Sequence, residues 1–195
     1  MRKEQIKYLY KKGLSMQQIS DKTGLSYHSV RHWMATHNIP RRLGSLAIYI
    51  RHNPHGDPFK FKGIHTNHDA LLFGLGVGLY WGEGTKKNKT SVRLGNSDPH
   101  LLKVFMRFLY RIYGVPKSKL RFGLQIFSDI KGKEALEFWT KQLHVKLSQF
   151  QKVVITPARG IGTYKNKMKY GVLTVYFHNV KLKRILIEEI EKLKK

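Results

Sequence analysis

LLFGLGVGLYWGEG, residues 71–84, is the stretch on which the fold of this chain turns. Eleven residues from Leu71 to Trp81 carry no charge, and the run closes on Gly82, the carboxylate of Glu83 and Gly84. Gly74, Gly78 and Gly82 recur every fourth residue, which puts them on one face of a helix. Each glycine inside a helix costs about 1 kcal/mol against alanine, and close approach of a second helix is what offsets so many of them. The run is too short to cross a bilayer, which takes about 20 apolar residues. It reads as a helix with a bare packing seam and an acid at its end.

Downstream the pattern alternates between strand and helix. Residues 91–96, SVRLGN, have strand periodicity, and Ser97-Asp98-Pro99 starts a helix carrying Leu101, Leu102, Phe105, Phe108 and Leu109 as far as Gly114. Residues 120–127 read as a second strand, with Ser128-Asp129 as a cap and Ala135, Leu136, Phe138, Trp139 and Leu143 as a second helical stripe. Laying Ser97 on Ser128 superposes two weakly related strand-cap-helix units. Residues 151–155 and 170–177 are two further strands, followed by a helix from Val180.

Upstream, residues 3–38 form a compact three-helix unit. Ile6, Leu9 and Tyr10 mark the inner side of its first helix. Ser15 caps a second with Met16 and Ile19 inside, and Ser26 caps a third with Val30, Trp33 and Met34 inside. Pro40-Arg41-Arg42 closes the unit. The Gly, Pro, His and basic residues of 41–67, punctuated by Asn53-Pro54-His55-Gly56-Asp57-Pro58, read as a tether that follows phosphate through Arg41 and Arg42. Three segments result: 1–40, 41–67 and 68–195.

Charge names the partner. Lys and Arg number 37 against 12 Asp and Glu, giving +25 and a pI near 10.3, while 41% hydrophobic residues suffice for a normal core. Self-repulsion of that size is relieved by a polyanion, and counterion release on phosphate contact makes nucleic acid the leading one. The basic residues are spread along the whole chain and not gathered on one amphipathic helix, which speaks against a membrane surface. With no cysteine there is no disulfide and no thiolate metal site. His52, His55, His65 and His68 invite a zinc reading, but structural zinc sites ordinarily include thiolates, so no zinc is expected. The first residues, MRKEQIKYLYKK, lack the apolar run of a signal peptide, and a cytoplasmic, nucleoid-associated protein is expected.

Two segments resemble known families. GLSMQQISDKTGLSYHSVRHW, residues 13–33, resembles the helix-turn-helix units of resolvase-like and regulator proteins, which implies that Tyr27, His28, Arg31 and His32 face the major groove. The alternative is a three-helix packing module without a DNA contact. GVGLYWGEG, residues 76–84, resembles the signature helix of the LAGLIDADG homing endonuclease superfamily, with glycine for the motif's first leucine and Trp81 where its first acid stands.

That second resemblance implies an α+β domain of order αβαβαββα, a saddle whose curved sheet binds double-stranded DNA. It implies a homodimer about the seam of Gly74, Gly78 and Gly82, with Glu83 of each chain as catalytic acid and metal ligand for Mg²⁺ or Mn²⁺. By family position Asn96 orients water and Lys169 stabilises developing charge. Arg93, Arg121, Gln125, Lys152 and Tyr176 are the strand-borne polar or aromatic positions able to reach phosphates or base edges. Between Ala70 and Ile187 the acids are Glu83, Asp98, Asp129, Glu134 and Glu137, and all but Glu83 lie at helix starts or on exposed helix faces.

The expectation is sequence-specific duplex DNA binding with metal-dependent phosphodiester cleavage and no small-molecule cofactor. The alternative is a non-cleaving transcriptional regulator on the same fold, as in the sporulation regulators of actinobacteria, where the order of domains is reversed.

Overall fold

The computed structural model describes residues 2–158 and 168–194, which divide into two compact units between Pro58 and Phe59. The first holds α1 (Arg2–Lys11), α2 (Met16–Thr23), α3 (Tyr27–Thr36) and α4 (Gly44–His52). Ile6, Leu9, Ile19, Val30 and Met34 form its core, with Trp33 and Tyr10 packed at the margin. Local chemistry sets the boundaries. Ser15 and Gln18 make a reciprocal capping box on α2, Gly24 closes that helix in the left-handed conformation, and the Ser26 hydroxyl accepts from the Ser29 amide to start α3.

Residues 41–67 are not the uniform tether read from their composition. Ala47, Ile48, Tyr49 and Ile50 propagate α4 between the glycine and proline clusters. Beyond the division, Lys60 and Lys62 donate backbone hydrogen bonds to the Tyr113 and Ile112 carbonyls, and Phe59 is buried in the core of the second unit.

The second unit is α+β. Its order is α5 (Asn67–Glu83), β1 (Val92–Asn96), α6 (Pro99–Arg111), β2 (Arg121–Phe127), α7 (Gly132–Leu143), β3 (Val154–Thr156), β4 (Val172–Phe177) and α8 (Val180–Leu193). Among the described residues the chain thus has eight α-helices and one mixed sheet of order β1-β4-β2-β3, in which only β2 and β3 run parallel. One sheet face is apolar. Leu94, Leu124, Leu173 and Val175 are buried with residues of α5, α6, α7 and α8 in a single core, and the Trp139 indole donates to the Tyr170 carbonyl at 2.8 Å.

Helix α5 packs by a different glycine from the seam read in the sequence. Leu72, Gly76, Val77 and Tyr80 face inward, and a Cβ on Gly76 would run into the Phe108 ring of α6. Gly74, Gly78 and Gly82 have nothing within 4 Å of where a Cβ would sit, so their face is open within the chain.

Two local expectations give way. Ser128-Asp129 does not cap α7: a turn closed by Ile130 N to Phe127 O intervenes, and the Ser128 hydroxyl accepts from the Ala158 amide beyond β3. Strand β3 is only Val154–Thr156, because the chain ahead of it runs beside β2 with isolated pairings at Phe150 and Gln151. No helix among the described residues is long and apolar enough to cross a membrane.

Candidate nucleic-acid interface and the end of helix α5

Period two on β1, β2 and β4 sends the other half of each strand to the second sheet face. Register then assembles rows across it. Arg93 on β1 and Arg121 on β2 both pair with Tyr176 on the central strand β4, so the phenol lies between two guanidinium-bearing positions. The Arg93 guanidinium lies 5.3 Å from the Tyr176 ring centroid. The next row is Gly95, Thr174 and Gly123, and the one after it pairs Val172 with Gln125 and Gln125 with Val154. Gly123 leaves the space that the Tyr176 ring uses, since a Cβ there would come within 2.8 Å of the ring. Arg93, Arg121, Gln125 and Tyr176, four of the five strand positions singled out in the sequence, therefore share one face. Lys152 is exposed and precedes β3.

The arginines are held by their own neighbourhoods. Arg93 Nε donates to Ser91 Oγ at 2.7 Å, and that serine is fixed by the Asn88 side chain. Arg121 donates to the Ser118 and Leu120 carbonyls, each at 2.8 Å. Gln125 Nε2 donates to Thr156 Oγ1 on β3. His178, two residues past Tyr176, belongs to the same face and was missed in the sequence, although period two extended beyond the strand points to it. Its ring lies nearly parallel to that of Tyr176, 5.9 Å away, and lost hydration followed by the charges of Arg93 and Arg121 holds its pKa below the usual 6.5.

On α3, His28, Arg31 and His32 are exposed on the first turns with Tyr27 half-buried beside them, while Val30 and Met34 face the core. Arg41 is exposed. Arg42, read as a phosphate contact, is drawn inward: its guanidinium stacks on the Tyr10 ring at 3.8 Å and donates to the Tyr10, Gly13 and Leu14 carbonyls. A cation suits carbonyls gathered at and just beyond the negative end of α1.

At the end of α5, Glu83 is exposed and has no hydrogen-bond or ion-pair partner among the described residues. It closes an open apolar groove lined by Leu71, Gly74, Leu75, Gly78 and Leu101. The chain then doubles back along β1: Gly84 bridges to Leu94, and the Thr85 amide donates to the Arg93 carbonyl at 2.9 Å. Lys86 Nζ donates to the Trp81 carbonyl at 2.6 Å, again a cation on helix-end carbonyls. From beneath, Lys183 of α8 reaches Tyr80 Oη at 2.6 Å and the Thr85 carbonyl at 2.9 Å. Burial, then the charge of Lys86, lowers the Lys183 pKa, and burial pushes that of Tyr80 up to about 12. The sequence signal for Lys183 was a lysine in step with Leu186 and Ile190 on an otherwise apolar stripe.

The other expected catalytic residues are arranged less closely. The Asn96 side chain accepts from the Asp98 amide and shapes the entry to α6. Lys169 is exposed in a separate recess with Asp129, Lys131, Glu134 and Tyr170, so it does not share the Glu83 groove within one chain. No group of three His, Cys, Asp or Glu suited to a metal occurs among the described residues. His52 and His55 lie in the first unit and His65 and His68 in the second. Comparisons with known protein families, with curated proteins and with solved structures found no match.

Proposed function

We propose that the chain is a sequence-specific double-stranded DNA-binding protein that acts as a homodimer and cleaves DNA with a divalent metal. The observation that carries DNA binding is the row Arg93, Tyr176 and Arg121 on an open sheet face, in a chain of net charge +25. Paired cations position phosphate, and the aromatic and amide side chains between and beside them offer contacts to base edges. The first unit adds a helix-turn-helix reader through Tyr27, His28, Arg31 and His32 on α3.

The open stripe of Gly74, Gly78 and Gly82, flanked by Leu71 and Leu75 at 70% and 46% exposure, supports a second copy as the neighbour of α5. A self-complementary helix face closes on itself about a two-fold axis. One carboxylate does not hold a hard cation, which takes about six oxygens, so the metal fits only when Glu83 of both copies and DNA phosphates converge. The paired Glu83 carboxylates would hold Mg²⁺ or Mn²⁺, which would supply Lewis acidity to the scissile phosphate. The protein's own part is to bring two carboxylates to one place.

The second reading is a non-cleaving regulator. It is favoured by Lys86, whose ammonium already lies on the α5 carbonyls beside Glu83. Cleavage of supercoiled plasmids bearing the native flanking DNA, in Mg²⁺, Mn²⁺ or EDTA, separates the two. A nuclease gives metal-dependent nicking or linear product that Glu83→Gln abolishes while DNA binding persists. Tight binding of the wild type to cognate DNA without any cleavage retires the nuclease and leaves the regulator.

A further inference from the structure

We propose that Lys183 is a positioning residue that holds the backbone of the turn carrying Glu83, its buried ammonium bonding the Tyr80 hydroxyl before the turn and the Thr85 carbonyl after it. The inference rests on the metal reading for its purpose and on geometry for its substance. Lys183 is 4% exposed, and no carboxylate pairs with it among the described residues. An ammonium so placed is costly unless its surroundings supply compensating dipoles. Here they are Tyr80 Oη at 2.6 Å and the Thr85 carbonyl at 2.9 Å. Tyr80 and Thr85 bracket Glu83 in sequence. A leucine at this point of α8 would continue the apolar stripe of Leu182, Leu186 and Ile190 without any such cost.

Two hydrogen bonds join α8 to both sides of one turn. The same turn is held from β1 by the Gly84 to Leu94 bridge and by Thr85 N to Arg93 O, so the backbone at Glu83 is fixed against α8 and the sheet together. A carboxylate that must meet its symmetry mate and a cation needs that restraint, because Glu83 itself has no side-chain partner to orient it among the described residues. Supports of this outer kind are worth roughly tenfold or more in metal affinity.

The test is Lys183→Met, which keeps length and apolar stem while removing charge and donors. Amide hydrogen exchange on the full chain should speed up at Gly84 and Thr85 by about tenfold, with the β4 amides unchanged. Mn²⁺ binding to the DNA-bound protein, read by electron paramagnetic resonance, should weaken by roughly tenfold, with duplex affinity preserved. Lys183→Arg should restore part of both. Unchanged exchange at Gly84 and Thr85 overturns the proposal, as does a uniform rise across the whole unit that Lys183→Arg does not correct. If Lys183→Met does not fold, Tyr80→Phe removes one acceptor and keeps the ring, and the same local acceleration is expected. A wild type whose Mn²⁺ binding equals that of Glu83→Gln defeats the metal reading separately, and the exchange result still decides whether Lys183 holds the turn.

Discussion

Asp69 near the start of α5 accepts a hydrogen bond from Arg111 at the end of α6, Nε to Oδ1, at 2.5 Å. It ties the helix that carries Glu83 to its neighbour at the end far from Glu83. The Arg111 hydrogen bond, with those of Thr66 and the His65 amide, holds the Asp69 carboxyl at about 2, below the usual 3.8. A folded pKa below the unfolded one contributes stability above the unfolded value that is lost as pH falls toward the folded one. Urea midpoints measured from pH 5 to 2 should therefore decline between about 4 and 2, and Asp69→Asn should remove that part of the slope.

Gly76 and Gly78 lie two residues apart on α5 and should respond oppositely. Gly76→Ala drives a methyl into the Phe108 ring and should cost about 1–3 kcal/mol by overpacking. Within one chain Gly78→Leu meets only open space, so the variant should still fold, with its melting temperature lowered only by the lost association. Light scattering should then show a monomer where the wild type is a dimer. A wild type that is monomeric both free and on DNA excludes the shared site.

Arg31 and Arg42 look alike in the sequence and should separate in experiment. Arg31→Ala or His28→Ala should reduce affinity for a cognate duplex more than for random DNA, since a base-reading side chain discriminates by about 1–3 kcal/mol. Arg42→Ala should instead lower the stability of the first unit by about 1–3 kcal/mol, because its guanidinium bonds to the Tyr10, Gly13 and Leu14 carbonyls. Equal losses on both duplexes make Arg31 a phosphate contact or scaffold.

His178 should couple DNA binding to pH. Its folded pKa is held below 6.5, so the free fold favours neutral imidazole, and acid lowers stability as the unfolded chain takes up the proton first. Phosphate nearby favours imidazolium, so binding takes up a proton and affinity should rise as pH falls toward the folded pKa of His178. Fluorescence anisotropy of the wild type against His178→Asn isolates this contribution from the other histidines. Parallel pH profiles for the two proteins contradict it.

Strong local signals were legible in the sequence. The charge-free run ending at Glu83 is one helix, Ser15, Ser26 and Asp98 cap where they were read, and period two brought Arg93, Arg121, Gln125 and Tyr176 to one face. What the sequence did not show was set by distant partners. That Gly76 packs within the chain depends on Phe108, far along from it, and the fate of Arg42 depended on carbonyls near Gly13. Ser128 was spent on Ala158, and Lys183 found its acceptors about a hundred residues back. Periodicity gives the face of an element, and only the tertiary arrangement says what stands opposite.

The central claim is that the sheet face binds duplex DNA through Arg93 and Arg121, and the most direct measurement is anisotropy on a labelled duplex titrated at several salt concentrations. The logarithm of the wild-type association constant should fall linearly and steeply with the logarithm of salt. Combining Arg93→Ala with Arg121→Ala should make that slope shallower by about 0.9 for each phosphate that is no longer neutralised. A flat wild-type response, or a double variant with unchanged slope and affinity, contradicts the account.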